Sequence, residues 1–383
     1  MSRLFKEFLD SEKAGGFILI SVTIVSLILS NTSFQSHYIG LWQIEIVDHS
    51  LIHWINDGLM TVFFLLIGLE LEREIYAGEL SSIRKASLPF FAALGGMVFP
   101  AGIFLLFNYG TSFQGGAGIP TATDIAFAIG ILSLAGKNVP VSIKIFLTAL
   151  AVIDDLGAII IISLFYSDSL VIINLLLSLG IFGVLILLNK SGINNLVPYI
   201  AGGLAMWFFM EKSGIHATIS GVLLAFAIPF RNDGENSPSF RLQHWLHVPV
   251  AFIILPLFAL ANTAIPLTGT GGLFDQPATG IMAGLLIGKP AGILLFSMLA
   301  VYIGLSELYS GLKWKMILGA GFLGGIGFTM SIFITLLAFD SPEIINVSKL
   351  AVLIASTVAG LIGLIILKMM FTKNIAEPEN GDT

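Results

Sequence analysis

The sequence contains no cysteine and few charged residues, and each absence excludes a class of protein. Without cysteine there is no disulfide, no catalytic thiol and no thiolate-bound zinc or iron–sulfur site. Charged residues make up 11% of the 383 positions, against about 25% in an ordinary soluble domain. Hydrophobic residues make up 56%, and the mean hydropathy is +0.95. This composition predicts an all-α polytopic membrane protein.

Long polar stretches are also missing between Ala14 and Phe371, which leaves no room there for a separate soluble domain. Apolar runs of about 20 residues, the length that crosses a lipid bilayer, recur instead. We expect one integral membrane domain over residues 1–383, surrounded by bilayer. Twelve spans are predicted, near residues 14–30, 52–70, 87–107, 119–134, 141–165, 170–188, 196–210, 215–230, 248–265, 280–299, 315–337 and 346–370.

The lysines and arginines give the predicted orientation. Connections between the spans alternate between rich and poor in basic residues, as the positive-inside rule requires. Arg84, Lys190 and Arg241 fall on the rich side, whereas Lys212 and Lys349 fall on the other side. We therefore expect both termini in the cytoplasm.

The long outside connection, residues 31–50, contains the segment LWQIEIV, in which Trp42, Ile44 and Ile46 alternate with Gln43 and Glu45. A period of two is typical of a short strand. An exposed strand edge favours pairing with a second copy of the chain. An irregular loop is the alternative interpretation.

Several motifs of other functional classes are missing. ATP-driven pumping needs GxxxxGK[ST], and AGLLIGKP departs from it at Ala283 and Pro290. A DDxxD magnesium site would need an acid where Ala158 stands, and an intramembrane aspartyl protease needs its two aspartates on separate helices. A channel and a sodium-coupled carrier for organic anions stay open as alternatives, although few polar side chains are present to bind an anion.

Four ionisable residues fall deep inside predicted spans, namely Asp124, Asp154, Asp155 and Lys289. Such a group costs at least a few kcal/mol in a membrane, so it indicates a functional site. Lys289 is either a structural counter-charge or a second proton carrier. Near the two ends of the second span lie further charged residues, for which a solvated helix end is the alternative: Asp57 at the outer end, and Glu70, Glu72, Arg73 and Glu74 at the inner end.

Asp154 and Asp155 are adjacent, so on a helix their side chains point about 100° apart. This angle predicts unequal roles for the two carboxylates. Burial disfavours the charged form of a carboxyl group, and a second carboxylate nearby disfavours it further. Oxygen ligands also suit a hard cation such as Na⁺ or Li⁺, by the reasoning that applies to hard divalent ions. One site can then hold either a cation or protons, which is the minimal chemistry of a cation/proton exchanger.

Two predicted spans carry helix-breaking residues. The fourth contains AGIPTATDIAFAIG with Pro120, and the eleventh contains LGAGFLGGIGFTMSIF, which is rich in glycine. They are the middle members of spans 3–5 and 10–12, which cross the membrane in opposite senses, as inverted repeats do. Interrupted spans in corresponding positions indicate a transporter's binding site. There Asp124 would neutralise facing helix N-termini and Lys289 facing C-termini.

Seven segments resemble the NhaA family of bacterial sodium/proton antiporters, and they extend in order from the second span to the eleventh. They are NDGLMTVFFLLIGLELERE, IPTATDIAFAIG, KIFLTALAVIDDLGAIIIISLFY, GIHATISG, LPLFALAN, IGKPAGI and GGIGFTMSIFI. The resemblance implies twelve helices in the bacterial inner membrane, with the fourth and eleventh unwound where they cross at mid-membrane. It implies electrogenic export of Na⁺ or Li⁺ against H⁺, activated by alkaline pH. No cofactor and no nucleic-acid partner are expected.

The resemblance also implies roles for single residues. Asp155 would be the principal cation ligand and proton carrier, with Asp154 as its partner. Thr123 and Asp124 would belong to the crossing of the interrupted helices, and Asp57 would be an accessory acidic position. A β-hairpin within residues 31–50 would join two protomers into a homodimer.

Six positions match residues linked to the pH response of the family: Glu70, Arg73, Glu74, His216, His244 and His247. One departure affects this assignment. In the segment RLQHWLH the chain carries Gln243 where the family commonly has glutamate, and an amide does not titrate. We interpret His37, His49 and His53 as interfacial residues.

Overall fold

The computed structural model describes residues 3–136, 139–166, 170–230, 237–267, 272–273 and 275–373. Helices dominate these residues. They are α1 (Arg3–Leu29), α2 (Gln35–Trp42), α3 (Leu51–Ala77), α4 (Ile83–Asn108), the 3₁₀ helix α5 (Gln114–Thr121), α6 (Ile125–Leu134), α7 (Val141–Phe165), α8 (Ile172–Lys190), α9 (Leu196–Glu211), α10 (Ile219–Ala227), α11 (Pro238–Asn262), α12 (Ala278–Tyr302), α13 (Trp314–Gly324), α14 (Phe328–Ala338) and α15 (Pro342–Lys373).

Seven of the described helices are long and apolar enough to cross a membrane: α3, α4, α7, α8, α11, α12 and α15. Two bent pairs also qualify, α5 with α6 and α13 with α14, with bends of 42° and 47°. Each of the other predicted spans also contains a helix, but the apolar part of α1, Lys13–Leu29, and the helices α9 and α10 are shorter. The chain is thus a multi-pass membrane protein, while the count of twelve spans and the inverted repeats stay predictions. The two ends of the chain, residues 1–2 and 374–383, lie outside the described residues, so their cytoplasmic location also stays a prediction.

The strand predicted around LWQIEIV is much shorter in the structure. Strand β1 (Glu45–Ile46) pairs antiparallel with β2 (His49–Ser50), which confirms a small hairpin. Trp42 instead ends α2, where its ring packs against Tyr38 at 5.7 Å between centroids. Tyr38 donates a hydrogen bond to the carbonyl of Leu260. Tyr38 and Trp42 are four residues apart, which is helical spacing. Trp42 therefore belongs to a helix and not to a strand with a period of two.

Lys349 also differs from the sequence-based assignment to the poorly charged outside. It lies in the second turn of α15, and its side chain is buried. The orientation therefore depends on the basic residues of the other connections.

The chain divides into two compact units, each made of separate stretches. The first unit comprises Met1–Ile20, Ser82–Asp154 and Thr270–Thr383, and the second comprises Ser21–Ser81 and Asp155–Gly269. Both predicted repeats fall in the first unit, apart from the last part of α7. The boundary between the units passes along α7 between Asp154 and Asp155.

Within the first unit, α4 and α12 pack at glycines. A Cβ atom added to Gly95 of α4 would lie 2.6 Å from Phe296 Cβ, and Gly292 of α12 would collide with the carbonyl of Gly95 in the same way. The absence of side chains lets the two backbones approach closely, which is a common device between membrane helices. This contact places Lys289, three residues before Gly292, inside the unit.

Candidate functional site

The interruptions of the two bent pairs contact each other directly. Residues 122–124 separate α5 from α6, and residues 325–327 separate α13 from α14. The backbone N–H of Asp124 donates to the carbonyl of Ile326 at 2.7 Å. The interrupted helices predicted from proline and glycine are therefore present, and their unwound segments meet.

The Asp124 carboxylate accepts hydrogen bonds at the N-termini of two helices. One carboxylate oxygen accepts from the backbone N–H of Phe127 at 3.0 Å, which caps α6. The other accepts from the backbone N–H of Thr329 at 3.1 Å and from its hydroxyl at 2.5 Å, at the start of α14. Helix N-termini carry partial positive charge and favour an acidic cap. The Asp124 carboxylate thus lies at the N-termini of both α6 and α14.

Lys289 and Asp154 form an ion pair in the interior of the first unit. The ammonium lies 2.9 Å from Asp154 Oδ2, and both side chains are fully buried. Lys289 also donates to the carbonyl of Thr121, the last residue of α5, at 2.5 Å. The cation therefore faces both a carboxylate and the C-terminal end of an interrupted helix. A π-helical segment, Gly284–Gly288, immediately precedes Lys289, and such segments are frequent at functional sites.

The Thr123 hydroxyl lies between the Lys289–Asp154 ion pair and the interruption that separates α13 from α14. Its hydroxyl lies 2.6 Å from Asp154 Oδ2 and 2.9 Å from the carbonyl of Gly324, at the end of α13. The second carboxylate oxygen, Asp154 Oδ1, is buried and has no hydrogen-bond partner among the described residues. A buried acceptor without a partner is costly, so it offers a place for a proton or a cation.

Asp155 follows Asp154 on α7 and is equally buried, at 1% exposure. The two carboxylates therefore lie next to each other in sequence while helix geometry separates their directions by about 100°. Asp154 engages Lys289 and Thr123 within the first unit. The unequal roles of the two carboxylates stay a prediction.

Four of the residues predicted for the pH response lie near one another in the second unit. Glu70 Oε1 is 3.8 Å from His247 Nδ1, and Arg73 contacts Glu74 at 3.1 Å. Gln243 is buried, and its amide lies next to the Glu70 carboxylate. A glutamate at position 243 would repel the Glu70 carboxylate, whereas the neutral amide of Gln243 does not.

The other two residues predicted for this response are His244 and His216. His244 is exposed on α11. His216 Nε2 lies 2.6 Å from the carbonyl of Tyr166, well away in sequence from the Glu70 group. Asp57 lies in a π-helical segment of α3, Trp54–Leu59, where its carboxylate is 3.1 Å from His53 Nδ1.

Two polar contacts were not anticipated from the sequence. Thr329 bonds Asp124, but a threonine in an apolar helix is too common to draw attention by itself. Its position two residues after the last glycine of GGIG, where α14 begins, is the available signal. Glu72 accepts a hydrogen bond from Ser239 at 2.8 Å, and both side chains are buried.

Known proteins resemble this chain over nearly its whole length. The family model described as Na⁺/H⁺ antiporter 1 matches residues 6–367. The chain is 60% identical over 376 residues to Na⁺/H⁺ antiporter NhaA 1 of Flavobacterium johnsoniae, covering 98% of this chain and 99% of that protein. It is 59% identical over 379 residues to the NhaA antiporter of Flavobacterium psychrophilum, with the same two shares. The NhaA antiporter of Shewanella loihica is 46% identical over 376 residues, covering 95% of this chain and 96% of that protein.

The chain belongs to the NhaA family of Na⁺/H⁺ antiporters. Membership of the NhaA family confirms the resemblance inferred from the seven segments. It also places the chain among transporters rather than enzymes. The matched region includes the interrupted helices, Lys289 and the Asp154–Asp155 pair.

Proposed function

We propose that the protein is an electrogenic secondary antiporter that exports Na⁺ or Li⁺ in exchange for H⁺ entering the cell. It would thereby support intracellular pH and sodium homeostasis from the bacterial inner membrane, with both termini in the cytoplasm. One observation carries the proposal: the adjacent buried carboxylates of Asp154 and Asp155, the first of them paired with Lys289 where two interrupted helices meet.

Asp155 is the principal cation ligand and proton carrier in this proposal, and Asp154 is its partner. Two carboxylates that release protons to one monovalent cation give more protons in than cations out, so the exchange moves net charge. A cation that approaches Asp154 competes with Lys289, since both seek the same oxygen. Lys289 then either carries a proton itself or serves as a counter-charge that keeps the empty site stable.

Asp124 stabilises the facing N-termini of α6 and α14, and the Lys289 ammonium faces the C-terminal end of α5. Thr123 links the interrupted helices to Asp154 through its hydroxyl. Asp57 is an accessory acidic position. Glu70, Arg73, Glu74, His216, His244 and His247 respond to pH, with Gln243 as the family departure that tunes the range. The only solutes are the transported ions, and no cofactor takes part.

The test uses everted membrane vesicles that hold a preset pH gradient, reported by a pH-sensitive dye. Addition of Na⁺ or Li⁺ should dissipate the gradient with the wild-type protein. Asp155→Asn should abolish the response, because an amide neither carries the proton nor neutralises the cation. Asp154→Asn should weaken it, and the surface variant Glu307→Gln should behave as wild type, since Glu307 is exposed.

Three outcomes would contradict the proposal or a part of it. Wild-type vesicles that ignore both cations from neutral to alkaline pH would exclude antiport. A sodium current that persists without any proton movement would favour a channel. Equal losses in Asp154→Asn and Asp155→Asn would show that the two carboxylates act as one unit rather than in unequal roles.

A further inference from the structure

Two histidines and a glutamate converge in the second unit. His49 lies on β2, His53 lies in the first turn of α3, and Glu211 ends α9. Glu211 Oε1 is 3.6 Å from His49 Nε2 and 3.5 Å from His53 Nε2. The two imidazole rings stack at 4.2 Å between centroids. We refer to these three residues as the His49–His53–Glu211 cluster.

The distances in the cluster are too long for direct hydrogen bonds, which are about 2.7–3.2 Å between nitrogen and oxygen. His53 Nε2 is buried and has no hydrogen-bond partner among the described residues. By contrast, a tetrahedral zinc ion with bonds of about 2.0–2.2 Å holds its nitrogen and oxygen ligands about 3.3 Å apart. The ligand atoms of the cluster all lie within 4.8 Å of one another. To enclose one ion, the stacked rings would turn so that both Nε2 lone pairs converge on it.

Asp57 contacts the ring nitrogen of His53 that faces away from Glu211. Its Oδ2 atom lies 3.1 Å from His53 Nδ1, so the proton of a neutral His53 ring is held at Nδ1. The lone pair of Nε2 then points toward Glu211. A carboxylate that orients a histidine in this way is the usual outer partner of a metal-binding histidine.

We propose that the His49–His53–Glu211 cluster binds a transition-metal ion of the Zn²⁺ class, with a fourth position open to water. Two imidazole nitrogens and one carboxylate suit Zn²⁺, Co²⁺ or Ni²⁺, whereas Mg²⁺ and Ca²⁺ prefer oxygen ligands alone. The side chains are 43%, 33% and 24% exposed, so an ion can reach them from solution. The bound ion would be coordinated by the hairpin, the start of α3 and the end of α9, and would hold these three segments together. The orientation predicted from the sequence places this site outside the cytoplasm.

The experiment uses the full chain in detergent, purified without a polyhistidine tag. Calorimetric titration with Zn²⁺ should show one saturable site per chain, and Zn²⁺ should raise the melting temperature while Mg²⁺ does neither. Co²⁺ should give the intense visible absorption of tetrahedral coordination. His49→Gln, His53→Gln and Glu211→Gln should each lower the Zn²⁺ affinity strongly. Asp57→Asn should lower it by about 10- to 100-fold, as expected for the outer partner of a ligand.

His37→Gln is the matched control, because His37 is an exposed histidine of α2 outside the cluster. It should bind Zn²⁺ as the wild type does. Wild-type protein that shows no saturable Zn²⁺ binding, or an octahedral Co²⁺ spectrum, would overturn the proposal. The same holds if His37→Gln loses affinity as much as the cluster variants. Since binding is measured without transport, this test is independent of the antiport experiment.

Discussion

Lys289 and Asp154 are each fully buried and neutralise each other's charge. Removal of one partner from a buried pair leaves an uncompensated charge and costs about 3–5 kcal/mol. Lys289→Met should therefore lower the melting temperature in detergent markedly. The double variant Lys289→Met/Asp154→Asn should recover part of the loss, because neither charge is then left alone.

The surface pair Arg84–Glu307 provides the matched control, at 2.6 Å with both side chains more than two-thirds exposed. Exposed ion pairs contribute little, because water screens them. Glu307→Gln should leave the melting temperature nearly unchanged. A Lys289→Met protein as stable as wild type, or a double variant less stable than both single variants, would contradict the importance assigned to the buried pair.

Ionisable residues in apolar runs were recognisable from the sequence because desolvation makes them expensive. Asp124, Asp154, Asp155 and Lys289 stand out on this ground, and the structure brings Asp124 to two helix N-termini and Lys289 to Asp154. The partners of these residues were not predictable from the sequence. Thr329 is an ordinary membrane-helix residue, and the acceptor at Thr121 is a backbone carbonyl, which every residue has.

At the scale of helices, the glycine contact between α4 and α12 controls the position of Lys289. Gly95→Ala would place a methyl group against Phe296 and the Gly292 carbonyl, and such overpacking costs about 1–3 kcal/mol. We expect a lower melting temperature and impaired Na⁺-dependent dissipation of the pH gradient in vesicles.

Gly102→Ala is the control on the same helix, since nothing lies within 4 Å of a Cβ atom there. Alanine should stabilise α4 by up to about 1 kcal/mol relative to glycine. If both variants lost stability equally, the effect would belong to the helix in general and not to the contact with α12.

Element boundaries were less predictable than element positions. Each predicted span contains a helix, because about 20 apolar residues admit few other structures in a bilayer. The segment from Leu41 to Val47 was ambiguous, since its alternation suggested a strand while Tyr38 and Trp42 stand at helical spacing. Contacts of Tyr38 with Leu260, distant in sequence, decided the outcome, and local pattern carries no information on them.

At the scale of the whole molecule, the hairpin is the proposed contact between two protomers. Ile44 and Ile46 are 51% and 46% exposed there. Ile44→Asp/Ile46→Asp should shift the detergent-solubilised protein from dimer to monomer, because charges oppose an apolar interface. Light scattering coupled to size exclusion measures the mass. Ile83→Asp, at a residue 90% exposed on α4, should leave the dimer intact, and a wild-type protein that is already monomeric would exclude the interface.

The hydroxyl hydrogen of Thr123 can be donated either to Asp154 or to the Gly324 carbonyl at the end of α13. The Thr123 hydroxyl has one hydrogen, yet Asp154 and the Gly324 carbonyl both lie within reach of it. While Asp154 is ionised, it attracts this hydrogen more strongly than the carbonyl does. Once Asp154 is protonated it can donate to Thr123 instead, and the hydroxyl then turns to Gly324. The hydrogen bond from Thr123 to the Gly324 carbonyl, at the end of α13, is therefore expected to form when Asp154 is protonated and to be lost when Asp154 is ionised. Thr123→Val would keep the shape of the side chain but remove this dependence on the protonation of Asp154.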